Sequence, residues 1–305
     1  LDEPLSTKDD DYNPVAGNNG NMVFYTVNQV IYDPEYGDMA SFNILYISTK
    51  TGENQWSPPK DITTRIESDG YFFTSSLSAD GKTLILSRDD MGQYDLYYSR
   101  SSDGRIWKPV EKFPKPINTK SNETNGCLSA DGSKLYFVSD RPEGKGGKDI
   151  YVSELKNDKW GEPKILDETI NSVYDEENPF LTQNDQVLVF SSEAHHSMGG
   201  FDVFISHRTP GGEWSVPLNP GYPFNNGEDN LFCYPVNEKE FFVSMPGESP
   251  LKKRDIYHLR IGDRSIPATE ELRAEDTATL GDTVQEPVQV VAEVVNQEPV
   301  QEVVE

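Results

Sequence analysis

Short apolar runs separated by turn-forming pairs recur along most of the chain, and the stretch from 125 to 177 shows one such unit complete. Residues 127–129 and 134–139 read as two strands joined by a tight Asp131-Gly132 turn, the pair most favoured in two-residue hairpins. A glycine-rich loop over 142–147 leads to a third strand over 149–155. Asn157-Asp158 then turns the chain into a fourth strand running from Trp160 to about Leu166. Four short antiparallel strands repeated at a fixed period are the pattern of a propeller blade.

Three markers share one register. Trp56, Trp107, Trp160 and Trp214 recur every 51 to 54 residues, each with a proline close behind. A polar residue at the third strand recurs as Asn43, Asp95, Asp149, Asp202 and Asp255. The first hairpin turn recurs as Asn19-Gly20, Asp80-Gly81, Asp131-Gly132, Asn184-Asp185 and Asn237-Glu238. The units run over about 12–65, 66–120, 121–174, 175–226 and 227–259, so the fold class is all-β, a five-bladed β-propeller of four-stranded antiparallel blades. The first unit carries an insertion, residues 28–40, between its second and third strands. The fifth lacks a fourth strand, and residues 1–4 (Leu-Asp-Glu-Pro) have the spacing of Trp160-Gly161-Glu162-Pro163. The N-terminal strand is therefore expected to close the last blade, which removes an exposed sheet edge.

The chain divides into a propeller over 1–266 and an acidic low-complexity tail or linker over 267–305, aromatic-free and with EPVQ repeated at Glu286 and Glu298. Such a segment buries too little apolar surface to offset its chain entropy and is expected to be disordered. Over its 305 residues the chain has a formal net charge of −25, which argues against nucleic-acid binding, since that needs a cationic footprint. No apolar run approaches the roughly 20 residues of a membrane-spanning helix. No signal peptide precedes Leu1, as expected of a mature form or an excised segment.

The runs LSADGKTLILS and LSADGSKLYFVSDRPEGKGGKDIYVSELKNDKWGEP, with the YDEENPF junction, resemble the WD40-like (TolB-type) β-propeller repeats of Bacteroidota envelope proteins. The layout is similar to the propeller domain of PorE-like OmpA-family proteins of the type IX secretion system. The resemblance covers residues 1 to about 259. It implies a non-catalytic scaffold or protein–protein interaction module in the periplasm, associated with the outer membrane, with envelope proteins as partners. Peptidoglycan would be reached only through a neighbouring domain.

Candidate chemistry gathers where one blade passes to the next. In a propeller these junctions open on one face around the channel, and here each is acidic: Asp9, Asp10 and Asp11; Glu67 and Asp69; Glu123; Asp175, Glu176 and Glu177; Glu228 and Asp229. Gathered like charges would suit a cation or a basic peptide. The alternative, which is favoured, is that each carboxylate accepts backbone N–H groups of its own loop or pairs with Arg88, Arg141 or Lys148. Asp175, Glu176 and Glu177 also offer hard oxygens to calcium, although their spacing matches no EF-hand or RTX loop; no other cofactor is expected. In the insertion, Tyr32 and Tyr36 are candidates to dock a partner.

The loop Gly144-Lys145-Gly146-Gly147-Lys148 precedes a strand and so is a turn, not a phosphate loop. His195 and His196 read as a solvated loop, His207 and His258 as structural. No nucleophile elbow or zinc motif appears, and the chain is not expected to be an enzyme; a carbohydrate-binding or carbohydrate-active propeller is the alternative. Cys127 and Cys233 stand four residues before the turns of the third and fifth units, which gives them one shared first-strand position a blade apart. Both are expected to be free and buried. The tryptophans are expected to fill the wedges between blades.

Overall fold

The computed structural model describes residues 5, 7–17, 20–33, 38–52, 55–182, 184–246, 254–261 and 292–294. Five antiparallel sheets make five blades. Blade one is built from Asp10–Gly17, Met22–Asp33, Asp38–Gly52 and Gln55–Trp56, blade two from Phe72–Leu77, Thr83–Asp90, Gln93–Arg100 and Glu111–Lys112. Blade three comprises Glu123–Leu128, Lys134–Ser139, Asp149–Lys156 and Lys159–Trp160. Blade four has Glu176–Leu181, Val187–Ser192 and Asp202–His207, its outer edge met by isolated bridges from Trp214 and Leu218. Blade five has Cys233–Pro235, Glu240–Pro246, Arg254–Ile261 and, on its edge, Ala292–Val294.

The repeated turn pairs do what their chemistry allows. Gly20, Gly81 and Gly132 sit at φ of 78°, 69° and 70°, where a side chain would be strained. A hydroxyl two residues before the turn's Asp or Asn donates to it in blades two, three and four: Ser78 to Asp80, Ser129 to Asp131 and Thr182 to Asn184. The donors around Asp131, Ser129 first, pull its carboxyl down to about 2. Blade five departs from this. Ser129 N–H reaches across its turn to Lys134 O, but Val236 N–H reaches Glu240 O, one residue sooner. With that shorter turn, Tyr234 stands opposite Phe242 as Cys127 stands opposite Tyr136, and Cys233 lies opposite Val243. The two cysteines therefore do not share one position, as equal spacing to the turn had implied. Both are free and buried, and desolvation pushes both thiols well above their ordinary range.

The core lies between the blades, and the tryptophans fill it. Trp107 of blade two meets Phe24 of blade one edge-on at 5.2 Å, and Trp56 meets Phe242 of blade five at 6.1 Å. Trp214 meets Tyr136 at 6.5 Å and Trp160 meets Phe113 at 6.0 Å, so each indole packs on the preceding blade. Trp107 is 4 % exposed, whereas Trp160 is only half-buried.

Residues 1–4, expected to close blade five, lie outside the described residues. Leu5 is fully buried in the seam between blades one and five, among Ala16, Val23, Phe242 and Ile256. On the edge of blade five the described strand comes from the other end of the chain, Ala292–Val294 against Leu259–Ile261. The segment read as a free linker thus meets the propeller at these three residues. Residues 28–33 and 38–40, read as part of an insertion, are strand. Both flanking strands simply continue, paired from Met22↔Thr49 to Asp33↔Asp38, because the β-branched and aromatic residues of NQVIYD suit a ribbon. Tyr36 lies outside the described residues.

Trp107→Ala is expected to cost about 3–5 kcal/mol of stability in urea denaturation and Trp160→Ala distinctly less, since cavity cost follows burial. Equal losses would contradict the difference in burial between the two indoles. Leu5→Ala is expected to cost about 2–5 kcal/mol, and an unchanged transition would show that the N-terminal segment does not seal the last seam.

Candidate functional site

The predicted acids are placed by the backbone they serve. Asp11 accepts the N–H and hydroxyl of Thr7, both at 2.7 Å. Glu123 does the same for Thr119 (2.8 and 2.6 Å), and Glu176 for Ser172 (2.9 and 2.6 Å). In blade five Asn230 takes the role, accepting from Asn226 N–H at 2.7 Å. Each side chain ties down the loop four residues before it, and Asp11, Glu123 and Glu176 are completely buried. Arg141 adds an ion pair to Glu123 at 3.2 Å. Next to three of these loops a buried amide, Asn118, Asn171 or Asn225, accepts the N–H and donates to the C=O of one third-strand residue (Leu96, Ile150 or Val203).

Two more acids bind the neighbouring blade. Asp175 accepts Lys148 N–H at 3.0 Å and Asp229 accepts Phe201 N–H at 3.1 Å. This explains the second glycine of each pair before them. A Cβ on Gly147 would collide with Asp175, and one on Gly200 with Asp229. The glycine-rich loop is a seat for a neighbouring carboxylate. Arg88 donates from Nε and Nη2 to Asp69 Oδ2 at 3.0 and 2.7 Å, and Asp9 accepts from Gln29 at 2.9 Å. Glu67 and Glu228 are exposed, and Asp10 is half-buried with Oδ1 unbonded. Asp175 and Glu177 thus both engage Lys148, through its N–H and its ammonium group, while Glu176 turns away to Ser172. Among the described residues no three His, Cys, Asp or Glu side chains are grouped to hold a metal ion.

The channel mouth is a cavity of about 550 Å³, and of the predicted acids only Glu177 lines it. The mouth is therefore not an acidic ring. Its wall is amide and tyrosine: Asn28, Asn43 and Asn125, with Tyr12, Tyr71 and Tyr94. Tyr12 OH and Asn28 Nδ2 both donate to Asn43 Oδ1, each at 2.9 Å. Burial first, then the charge of Asp10, pushes the Tyr12 hydroxyl well above the ordinary phenol range. Lys148 is paired with Glu177, whose other oxygen accepts from Asn125 Nδ2 at 3.2 Å. Asn125 is 7 % exposed and its Oδ1 has no hydrogen bond. Arg254 also lines the mouth and forms no ion pair among the described residues. Asp89 accepts from Gly92 N–H (2.7 Å) and Tyr94 OH (3.3 Å).

One wall continues upward. Along the ribbon of blade one the pairs Asn28/Asn43, Val30/Ser41 and Tyr32/Met39 alternate onto one face. Asn28, Ser41 and Asn43 line the cavity, so Val30, Tyr32 and Met39, exposed by 56 %, 62 % and 58 %, extend it as an apolar strip. Below the cavity the channel is filled. Tyr234 OH donates to Leu77 O at 3.3 Å across the axis, and Phe180 packs on Phe232 and Tyr234 at 4.9 and 5.1 Å.

Sequence reasoning missed the left-handed asparagines. Asn13, Asn125 and Asn178 sit at φ of 51°, 45° and 52° in first-strand bulges, and the triplets Y-N-P, T-N-G and E-N-P were their signal. Arg254 carried no signal beyond its charge. His195 is not a solvated loop residue: its ring packs edge-on to Phe190 and Phe204 and its Nε2 contacts Ile170 O at 2.9 Å. His258 stacks on Phe242 at 4.7 Å, and burial lowers it to about 4.

The sequence matches no family model and no curated protein. Among solved structures, TolB from Acinetobacter baumannii is 15 % identical with a TM-score of 0.47, covering 86 % of this chain; the chain spans 56 % of that protein. An alpha-L-arabinofuranosidase from Lactobacillus brevis is 14 % identical (TM-score 0.49; 86 % of this chain, 94 % of that one). The catalytic domain of Coprinopsis cinerea GH62 alpha-L-arabinofuranosidase is 11 % identical (TM-score 0.46; 81 % and 89 %). At these identities the likeness is one of fold. It corrects one expectation: structures with similar folds include enzymes, so the exclusion of catalysis does not stand.

Burial raises Glu176 from 4.5 to about 7. Between those values the folded chain holds more protons than the unfolded one. This residue's contribution to stability is therefore full below the lower value and lost as pH rises through the upper. The stability of wild type minus that of Glu176→Gln is expected to fall between about pH 5 and about pH 8 in urea denaturation; a flat difference would refute the assignment.

Proposed function

We propose that this propeller is a recognition module that holds a polypeptide segment of an envelope protein at its channel mouth. The observation that carries the reading is the continuity of the cavity with the ribbon. A polypeptide presents alternating donors and acceptors together with apolar side chains. The mouth offers the Glu177–Lys148 pair and the Arg254 guanidinium to the first, and Val30, Tyr32 and Met39 to the second. Exposed apolar strips rimmed by polar groups are a recurrent mark of protein-binding surfaces, and aromatic anchors carry most of their energy. A periplasmic, outer-membrane-associated setting and a place in a secretion complex are parts of the same proposal. They are supported by the resemblance of the repeats to those of envelope propellers.

A carbohydrate site is the second reading, favoured by the amide-and-tyrosine lining, which suits hydroxyl donors and flat sugar faces. Capture of protein partners from envelope extracts, set beside a glycan array and a glycosidase assay on the same preparation, separates the two. Tyr32→Ser with Met39→Ser is expected to weaken protein capture about tenfold or more without lowering the melting temperature, with the array and the assay silent. Undiminished capture by that variant, or signal on glycans alone, would replace the peptide reading with the carbohydrate one.

A further inference from the structure

At the opposite end of the propeller, where the hairpin turns lie, a groove of about 810 Å³ runs between blades one and two. Its floor is apolar, from Met22, Ile47 and Ile62, the last 2 % exposed. Lys60 and Arg65 of blade one and Lys82 and Arg105 of blade two line it, all four exposed and none in an ion pair among the described residues. This occurs in a chain with 52 acidic and 27 basic residues. Elsewhere the acids do find cations, as Asp69 finds Arg88 and Asp95 finds Lys112.

Two carboxylates also line the groove, and both are engaged in their own turns. Asp80 accepts from Ser78 Oγ (2.6 Å) and Lys82 N–H (3.0 Å). Asp103 accepts the N–H groups of Arg105 and Ile106 at 2.9 and 3.0 Å, and those donors, Ile106 first, hold its carboxyl below the usual range. Four cations against two committed anions leave a positive balance over an apolar floor.

We propose that this groove is an interaction surface for an acidic polypeptide segment of a partner, one carrying glutamate or aspartate between aliphatic residues. Charge complementarity selects the acids, and Met22, Ile47 and Ile62 select the aliphatic side chains between them. The groove is independent of the channel mouth, so neither assignment depends on the other.

A fluorescein-labelled peptide of alternating glutamate and valine, titrated with the full chain at low salt and read by anisotropy, tests the assignment. Binding is expected, weakening as salt screens the charges and falling roughly tenfold or more in Lys60→Glu/Arg65→Glu/Lys82→Glu/Arg105→Glu. The single variant Lys82→Glu should show a smaller loss in the same direction. Reversal of four exposed lysines elsewhere, Lys115, Lys120, Lys159 and Lys164, should leave binding unchanged, with melting curves confirming that every variant is folded. Absence of binding, or equal loss in the control set, would overturn the proposal. So would polyphosphate or a glutamate-only peptide that binds as tightly as the glutamate–valine peptide. A full chain that ignores the probe but melts lower once the four cations are reversed would indicate that its own residues 267–305 fill the groove, and the assignment to a partner would fail.

Discussion

Everything in this propeller depends on how its innermost strands, which splay apart and cannot pair by backbone, satisfy their polar groups around the axis. Side chains make those hydrogen bonds. Asn13 Nδ2 donates to Thr74 O at 3.1 Å, Ser76 Oγ to Gly126 O at 2.6 Å, Asn178 Nδ2 to Leu231 O, and Ser244 Oγ accepts Asn13 N–H at 3.2 Å. The bulges exist to aim these groups. A left-handed residue in the strand turns an amide along the ring instead of into the sheet, and asparagine tolerates that conformation better than most side chains. The blades outside can then be ordinary four-stranded sheets with apolar faces.

The loops between blades follow the same logic at larger radius. Asp11, Glu123 and Glu176 are charged residues used as backbone caps, buried at the cost that raises Glu176 toward neutrality. The glycine pairs at 146–147 and 199–200 clear space for neighbouring residues, and Asp175 and Asp229 fill part of it. At the junctions into blades four and five, acid, amide and glycine together form one device that locks a blade to the next. What remains for recognition is the residue set this device does not use: the mouth-lining tyrosines, Arg254, and the projecting ribbon.

Much of the fold was legible in the sequence because its signals are local. Turn pairs, the tryptophan spacing and the third-strand aspartates each report geometry within a few residues, so blade number and most strand positions follow. Two signals were local yet misleading. Counting back from the turn put Cys127 and Cys233 in register, but the fifth turn is one residue shorter. Residues 28–40 looked like an insertion because their length was anomalous, although their composition suited strands. The site was less legible because side-chain direction decides it. Sequence shows that five junctions are acidic; it does not show that Glu176 turns inward to Ser172 while the adjacent Glu177 turns to Lys148 and the cavity. Nor does it show that four cations from two blades share one groove.

The stopper beneath the mouth sets the manner in which anything can be held there. With Tyr234 reaching across to Leu77 and the rings of Phe180 and Phe232 packed beside it, the axis is a blind well, entered and left by one opening. A polymer cannot be threaded through it as a bead on a string. What fits is the end of a chain or the tip of a tight bend, so a partner would be read by its terminus or its most prominent loop, however long the remainder.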